Sequence, residues 1–167
     1  MRLFVAVRPP PEVLDALDTL TRPDNTPTRW TTRDQWHVTL RFFGNVDDPR
    51  PIIDALTIAL NDASCVDVTM GPRAGMFGRR IVHLPVNGLD ALATMIVAAT
   101  EGFGDPPEHR AFRGHITLGR SKARRVDTSS LDLACTWPVH EVELIRSHLH
   151  PEGARYETLE RFALVER

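Results

Sequence analysis

The spacing of hydrophobic positions changes several times along the chain, and each change predicts an element. Residues 2–8 are dominated by β-branched, aliphatic and aromatic side chains and read as a strand. Pro9, Pro10 and Pro11 then set up a helix start, because the proline ring pre-sets φ for the first helical turn and lacks only an N–H that has no intrahelical partner there. Val13, Leu14, Leu17 and Leu20 follow at helical spacing. Residues 22–28 are a polar loop, residues 36–43 a second strand closed by Gly44 and Asn45, and residues 51–60 return to helical spacing through Ile52, Ile53, Leu56 and Leu60. Residues 65–70 and 80–86 read as strands joined by a Gly/Arg-rich turn, and residues 89–100 as a third helix.

A loop follows over 102–110, then a strand over 112–120, a basic polar loop over 121–130, and two closing strands over 137–147 and 155–165. Strands interspersed with three helices, without the regular alternation of a doubly wound fold, predict one α+β domain over residues 1–167 with a mostly antiparallel sheet. Long-period repeats are absent.

One short segment does recur. Residues 37–40 are His-Val-Thr-Leu and residues 115–118 are His-Ile-Thr-Leu, on two predicted strands half a chain apart. Of the seven histidines only these two have threonine two positions on. Residues two apart on a strand share a face, so His37 and Thr39 point one way while Val38, Leu40 and Phe42 point the other. Ile116 and Leu118 oppose His115 and Thr117 in the same manner. Two such strands side by side about a pseudo-two-fold axis bring two imidazoles and two hydroxyls to one point, which suits a phosphate. In-line displacement at phosphorus needs a base on one side and an acid on the other, and histidine titrates near neutrality. The hydroxyls donate to the non-bridging oxygens, and no metal is required. His83, His109, His140, His148 and His150 are read as ordinary core or surface histidines.

Composition narrows the partners. A formal net charge of -2 excludes a bulk cationic coat, so contact with nucleic acid has to be local. Lys122 is the one lysine, so the positive charge is almost all guanidinium. The roles of Arg79, Arg80, Arg124 and Arg125 stay open between gripping a strand and solvating loops. Cys65 and Cys135 are isolated, which disfavours a disulfide framework and a zinc site. The apolar run at 3–7 is too short for a signal-peptide core and no 18-residue apolar stretch exists, so a cytoplasmic protein without membrane contact is expected. The sequence leaves the oligomeric state open, with a monomer as the default.

In context, residues 36–44 (Trp-His-Val-Thr-Leu-Arg-Phe-Phe-Gly) and 112–120 (Phe-Arg-Gly-His-Ile-Thr-Leu-Gly-Arg) resemble the paired signatures of the two-histidine phosphoesterase superfamily. The branch most similar is the RNA 2′,3′-cyclic phosphodiesterases, also called LigT-like proteins or 2′-5′ RNA ligases. An opening Arg-Leu-Phe-Val-Ala strand at 2–6, a hairpin region at 77–84 and the closing segments at 147–149 and 156–159 extend the resemblance over almost the whole chain. It implies a bilobal fold with mostly antiparallel sheets around a central cleft, helices outside, one H-x-T per lobe, and neither metal nor cofactor. It also implies His37 as the acid that protonates the leaving 3′ oxygen and His115 as the base that activates water. Thr39 and Thr117 would hold the phosphate, and the product would carry a 2′-phosphate. Arg120 matches an arginine that often follows the second motif, although strict alternation puts it on the face opposite His115. Two positions depart from the pattern: Gly114 stands where proline is common before the second histidine, and His83 stands where an aromatic is common.

The expected reaction is hydrolysis of an RNA-terminal 2′,3′-cyclic phosphate, with weak ATP-independent 2′-5′ ligation as its reversal. An ATP-dependent ligase is disfavoured, since Lys122 lies outside any K-x-D-G pattern and no P-loop is present. A cyclic-nucleotide phosphodiesterase and a non-catalytic RNA-end binder are the alternatives.

Overall fold

The computed structural model describes residues 1–24, 27–78, 80–123 and 125–167. Arg79 and Arg124, whose roles the sequence left open, lie outside them. Among the described residues the strands are β1 (Arg2–Val7), β2 (Thr28–Trp30), β3 (Val38–Asn45), β4 (Val66–Met70), β5 (Gly75–Phe77), β6 (Ile81–Asn87), β7 (His115–Ser121), β8 (Cys135–Val139), β9 (Glu141–His148) and β10 (Arg155–Ala163). The helices are α1 (Pro11–Asp18), α2 (Arg50–Leu60) and α3 (Asp90–Ala99).

The helices decide which face of the sheet stays open. Helix α1 begins on the proline run, with the Pro10 carbonyl taking the Val13 and Leu14 N–H groups at 3.0 Å. It stops two residues before Leu20, where the Thr19 hydroxyl donates to the Ala16 carbonyl at 2.6 Å. Val13 and Leu17 of α1, Ile52, Leu56 and Leu60 of α2, and Leu92, Ala93 and Ile96 of α3 enter one hydrophobic cluster with Leu3, Val5, Val7, Val38, Leu84, Ile116 and Leu118. All three helices therefore cover the same side of the sheet. Among the described residues the opposite side carries a small cluster of Phe4, Ala6 and Ile145 with Tyr156, leaving room for polar side chains.

The sheet is ten-stranded and curled, in the order β10-β9-β1-β3-β7-β6-β4-β8, with β2 added beside β7 and β5 beside β6. Each pairing between these strands is antiparallel. Its halves meet where β3 and β7 pair through Val38 and Ile116, the central residues of the two His-x-Thr segments. A pseudo-two-fold axis passes through that pair, because the flanking registers correspond. Val7 opposite Val38 matches Leu84 opposite Ile116, and Ala6 opposite Thr39 matches His83 opposite Thr117.

Both motif strands carry a bulge at matching places, and this corrects two expectations. On β3 the partners step from Val5–Arg41 to Ala6–Thr39, skipping Leu40; on β7 they step from Val82–Gly119 to His83–Thr117, skipping Leu118. An unpaired residue inverts the alternation beyond it. Phe42, expected on the core side, is 43% exposed with the Arg2 guanidinium 5.1 Å from its ring centre, while Phe43 is fully buried. Arg120 is likewise returned to the face of His115 and Thr117, against the prediction of strict alternation.

Other boundaries shift for reasons outside local spacing. The strand expected over 137–147 is two strands broken at His140: β8 is an edge strand, where Pro138 forfeits no essential N–H bond, and β9 crosses to the other half beside β1 and β10. Strand β2 is recruited from the end of the polar loop by β7, with Trp30 opposite Gly119. A Cβ on Gly119 would lie 2.8 Å from the indole, so only glycine lets Trp30 settle there. Strand β5 emerges from the Gly/Arg-rich turn and forms the hairpin with β6 that the resemblance implied.

Candidate active site

His37 sits immediately before β3 and His115 opens β7. Each ring is anchored in the same manner, Nδ1 donating to the carbonyl two residues upstream: Gln35 for His37 and Arg113 for His115, both at 2.7 Å. A carbonyl only accepts, so Nδ1 carries the proton of the neutral ring and Nε2 keeps the lone pair. Because β3 and β7 run antiparallel through Val38 and Ile116, one step along the register sets His37 across from Thr117 and Thr39 across from His115. The four motif side chains thus gather about the pseudo-axis, each partly buried.

The two arms differ in what surrounds each imidazole. Beside His37 lie Phe4, with ring centres 4.9 Å apart, and Tyr156, edge-on at 5.2 Å, while the Thr39 hydroxyl reaches Nε2 at 2.9 Å. Beside His115 lie Phe77, edge-on at 4.7 Å, and His83, edge-on at 5.7 Å. Phe77 and His83 are themselves stacked at 3.7 Å with planes 6° apart. Across from His37, one step beyond the Val7–Val38 pair, is Arg8; across from His115 is Pro85.

Burial dominates the electrostatics. Loss of water pushes His37 down to about 4, with the Arg8 and His115 charges adding to the effect and the Gln35 carbonyl opposing it. His115 is lowered by burial first and then by Arg120 and Arg110, against the Arg113 carbonyl. The Tyr156 phenol is raised by burial, while Arg120, Arg8 and Arg2 oppose the rise. Arg120 is therefore close enough to act on rings from both halves. A protein of net charge -2 concentrates Arg2, Arg8, Arg110 and Arg120 around these rings.

The family model of the 2′-5′ RNA ligase superfamily matches residues 9–151. The chain belongs to the 2′-5′ RNA ligase superfamily. Among solved members of this fold, TT0787 of Thermus thermophilus is 30% identical with a TM-score of 0.81 over 98% of both chains. E. coli LigT complexed with 3′-AMP is 26% identical with a TM-score of 0.74, covering 98% of this chain and 97% of that one. A curated T. thermophilus protein, RNA 2′,3′-cyclic phosphodiesterase, is 39% identical over 59 residues, which is 35% of this chain and 30% of that protein.

One departure from the superfamily's pattern has a structural reason. A Cβ at Gly114 would lie 2.4 Å from the Val86 carbonyl, so this backbone has no room for the common proline without moving β6. The Gly114 carbonyl accepts the Val86 N–H at 2.8 Å, which ties down the residue before His115. His83, read from sequence as an ordinary histidine, is 8% exposed and borders His115. Of the others, His140 lies beside Cys65 at 3.4 Å and His148 pairs with Glu157 at 2.7 Å, neither in the motif cluster. Sequence reading missed Arg8, Phe77 and Tyr156 as neighbours of the motif histidines. Arg8, the polar residue ending an apolar strand, was the one visible hint. Its Nε donates to buried Glu143 at 2.9 Å, and the Thr158 hydroxyl donates to the same carboxylate at 3.0 Å.

Among the described residues no group of three or more His, Cys, Asp or Glu is arranged to hold a metal ion. No described helix is long and apolar enough to cross a membrane.

Proposed function

We propose that the protein is a hydrolase that opens a terminal 2′,3′-cyclic phosphate on RNA, with His37 as general acid, His115 as general base, and Thr39, Thr117 and Arg120 on the phosphate. The observation carrying the reading is the Val38–Ile116 register, which sets about one axis two histidines that share the same Nδ1 anchor on the carbonyl two residues upstream. In the reaction, His115 Nε2 takes a proton from water as its oxygen attacks phosphorus, the P–O3′ bond breaks, and His37 Nε2 gives its proton to O3′. The products are a 2′-phosphomonoester and a free 3′-hydroxyl, matching the direction implied by the superfamily. The threonine hydroxyls and the Arg120 guanidinium stabilise charge on the non-bridging oxygens.

The assigned acid has to acquire its proton. With His37 held at about 4, on the order of one empty molecule in a thousand carries that proton at pH 7. A phosphodiester anion in the site favours imidazolium and raises both histidines, and it draws the Thr39 hydroxyl from Nε2 to a phosphate oxygen. Binding and protonation are thereby coupled. Run backwards with a 5′-hydroxyl in place of water, the same groups join ends through a 2′-5′ link, which makes weak ATP-independent ligation the expected side reaction.

The test is turnover of an oligoribonucleotide ending in 2′,3′-cyclic phosphate, compared with cyclic mononucleotides. Faster kcat/KM on the oligonucleotide supports an RNA substrate. Preference for the mononucleotides redirects the reading to a cyclic-nucleotide phosphodiesterase, and binding without turnover to an RNA-end binder.

A further inference from the structure

We propose that His83, through its stack with Phe77, is a positioning residue for His115: the paired rings form a wall that holds the imidazole with Nε2 toward the site. The proposal rests on the base role given to His115 above, and it concerns a residue outside the two motifs. His37 is held at both ring nitrogens, by the Gln35 carbonyl and the Thr39 hydroxyl. His115 is held at Nδ1 by the Arg113 carbonyl, and among the described residues no hydrogen bond joins its Nε2 to Thr117. One hydrogen bond leaves the ring free to swing. What limits it is the wall, with Phe77 at 4.7 Å and His83 at 5.7 Å, their planes 81° and 77° from that of His115.

The two halves of the fold make the same point. Across from Thr117 stands His83, and at the matching place across from Thr39 stands Ala6. At that place the half whose histidine is doubly bonded has a methyl, its rings coming from Phe4 and Tyr156 instead, and the half whose histidine is singly bonded has the ring of His83. His83 is also bonded in a way that fits an aromatic role. Its Nδ1 contact to the Ile81 carbonyl is long, 3.5 Å, whereas the motif histidines sit at 2.7 Å from theirs. Burial lowers its pKa, with the Ile81 carbonyl opposing and the charges of His115 and Arg113 adding to the effect. The Arg113 guanidinium, 5.5 Å from the Phe77 ring centre, braces the pair. The imidazole is thus used for its flat face and not for its proton, so phenylalanine should replace it.

Two full-length variants, His83→Ala and His83→Phe, test this by NMR titration of the His115 ring and by steady-state turnover on a cyclic-phosphate oligonucleotide. The other charges acting on His115, those of Arg120, Arg110 and His37, are common to all forms. His83→Ala opens the wall to water, so the His115 pKa should rise by at least about half a unit as desolvation is relieved. Its kcat should fall about tenfold or more at little changed KM, as expected for a misaimed base. His83→Phe should leave the titration unchanged and kcat within about twofold. Should His83→Ala fail to fold, Phe77→Leu takes its place with the same expected shift. The proposal is overturned by a wall-opening variant that titrates and turns over like wild type, or by His83→Phe being as damaged as His83→Ala. Absence of turnover in the wild type would instead sink the reaction proposed above, and the substrate-free titration would still decide the packing role.

Discussion

The burial of His37 has a consequence for stability that can be measured without any substrate. Its pKa is near 4 in the folded protein and about 6.5 in an unfolded chain, so between those values the unfolded state binds the extra proton. Above pH 6.5 the ring is neutral in both states and contributes nothing to the pH dependence. As pH falls from 6.5 through 4 the folded state loses ground, and below 4 the loss is complete. The size is about 3 kcal/mol, an upper figure because the ring is only partly shielded from water. His37→Gln keeps a polar group of similar reach that does not titrate. Urea unfolding of wild type and variant at pH 7.5, 5.5 and 4 isolates the effect, since every other titrating group is common to both proteins. The wild type should lose about 2–3 kcal/mol more than the variant between the extremes. Inorganic phosphate, by occupying the site, should shrink that excess. Parallel pH profiles for the two proteins would show that His37 is not desolvated, and the coupling of anion binding to protonation would fall with it.

Four further outcomes follow from the site. His37→Ala and His115→Ala should each lower turnover by at least about a hundredfold, with Thr39→Ala and Thr117→Ala costing less and the double-histidine variant little worse than the poorer single one; near-wild-type turnover in either histidine variant would reject the paired mechanism. The pH profile of kcat should lie at higher pH than that of kcat/KM, because bound phosphate raises both histidines above their free-enzyme values; coincident profiles would contradict this. Activity should survive excess EDTA, since the proposed mechanism takes its proton transfers from the imidazoles, and recovery of a stripped enzyme only on adding a divalent ion would end the metal-independent reading. The cleaved end should be a 2′-phosphomonoester, and a 3′-phosphate found by end analysis would reverse the assignment of leaving oxygen.

What the sequence determined by itself is what short-range geometry encodes. Alternation over residues 37–40 and 115–118 put each histidine with its threonine and set them against Val38, Leu40, Ile116 and Leu118, and those four are buried. Helical spacing found the apolar stripes of α1, α2 and α3, and proline chemistry found the start of α1. The repeated His-x-Thr in its two contexts was enough to suggest the family. Tertiary structure decided everything that depends on a partner strand. The bulges at Leu40 and Leu118 arise from pairing with β1 and β6, and no local pattern announces them, so Phe42 and Arg120 changed sides against expectation. Strand β2 exists because β7 offers Gly119 to Trp30, and His140 divides two strands because they belong to opposite halves of the sheet. Arg8, Phe77, His83 and Tyr156 reach the motif histidines from four separate segments. The depressed pKa values were equally out of reach, because desolvation is a property of the enclosure and an isolated His-x-Thr strand has none.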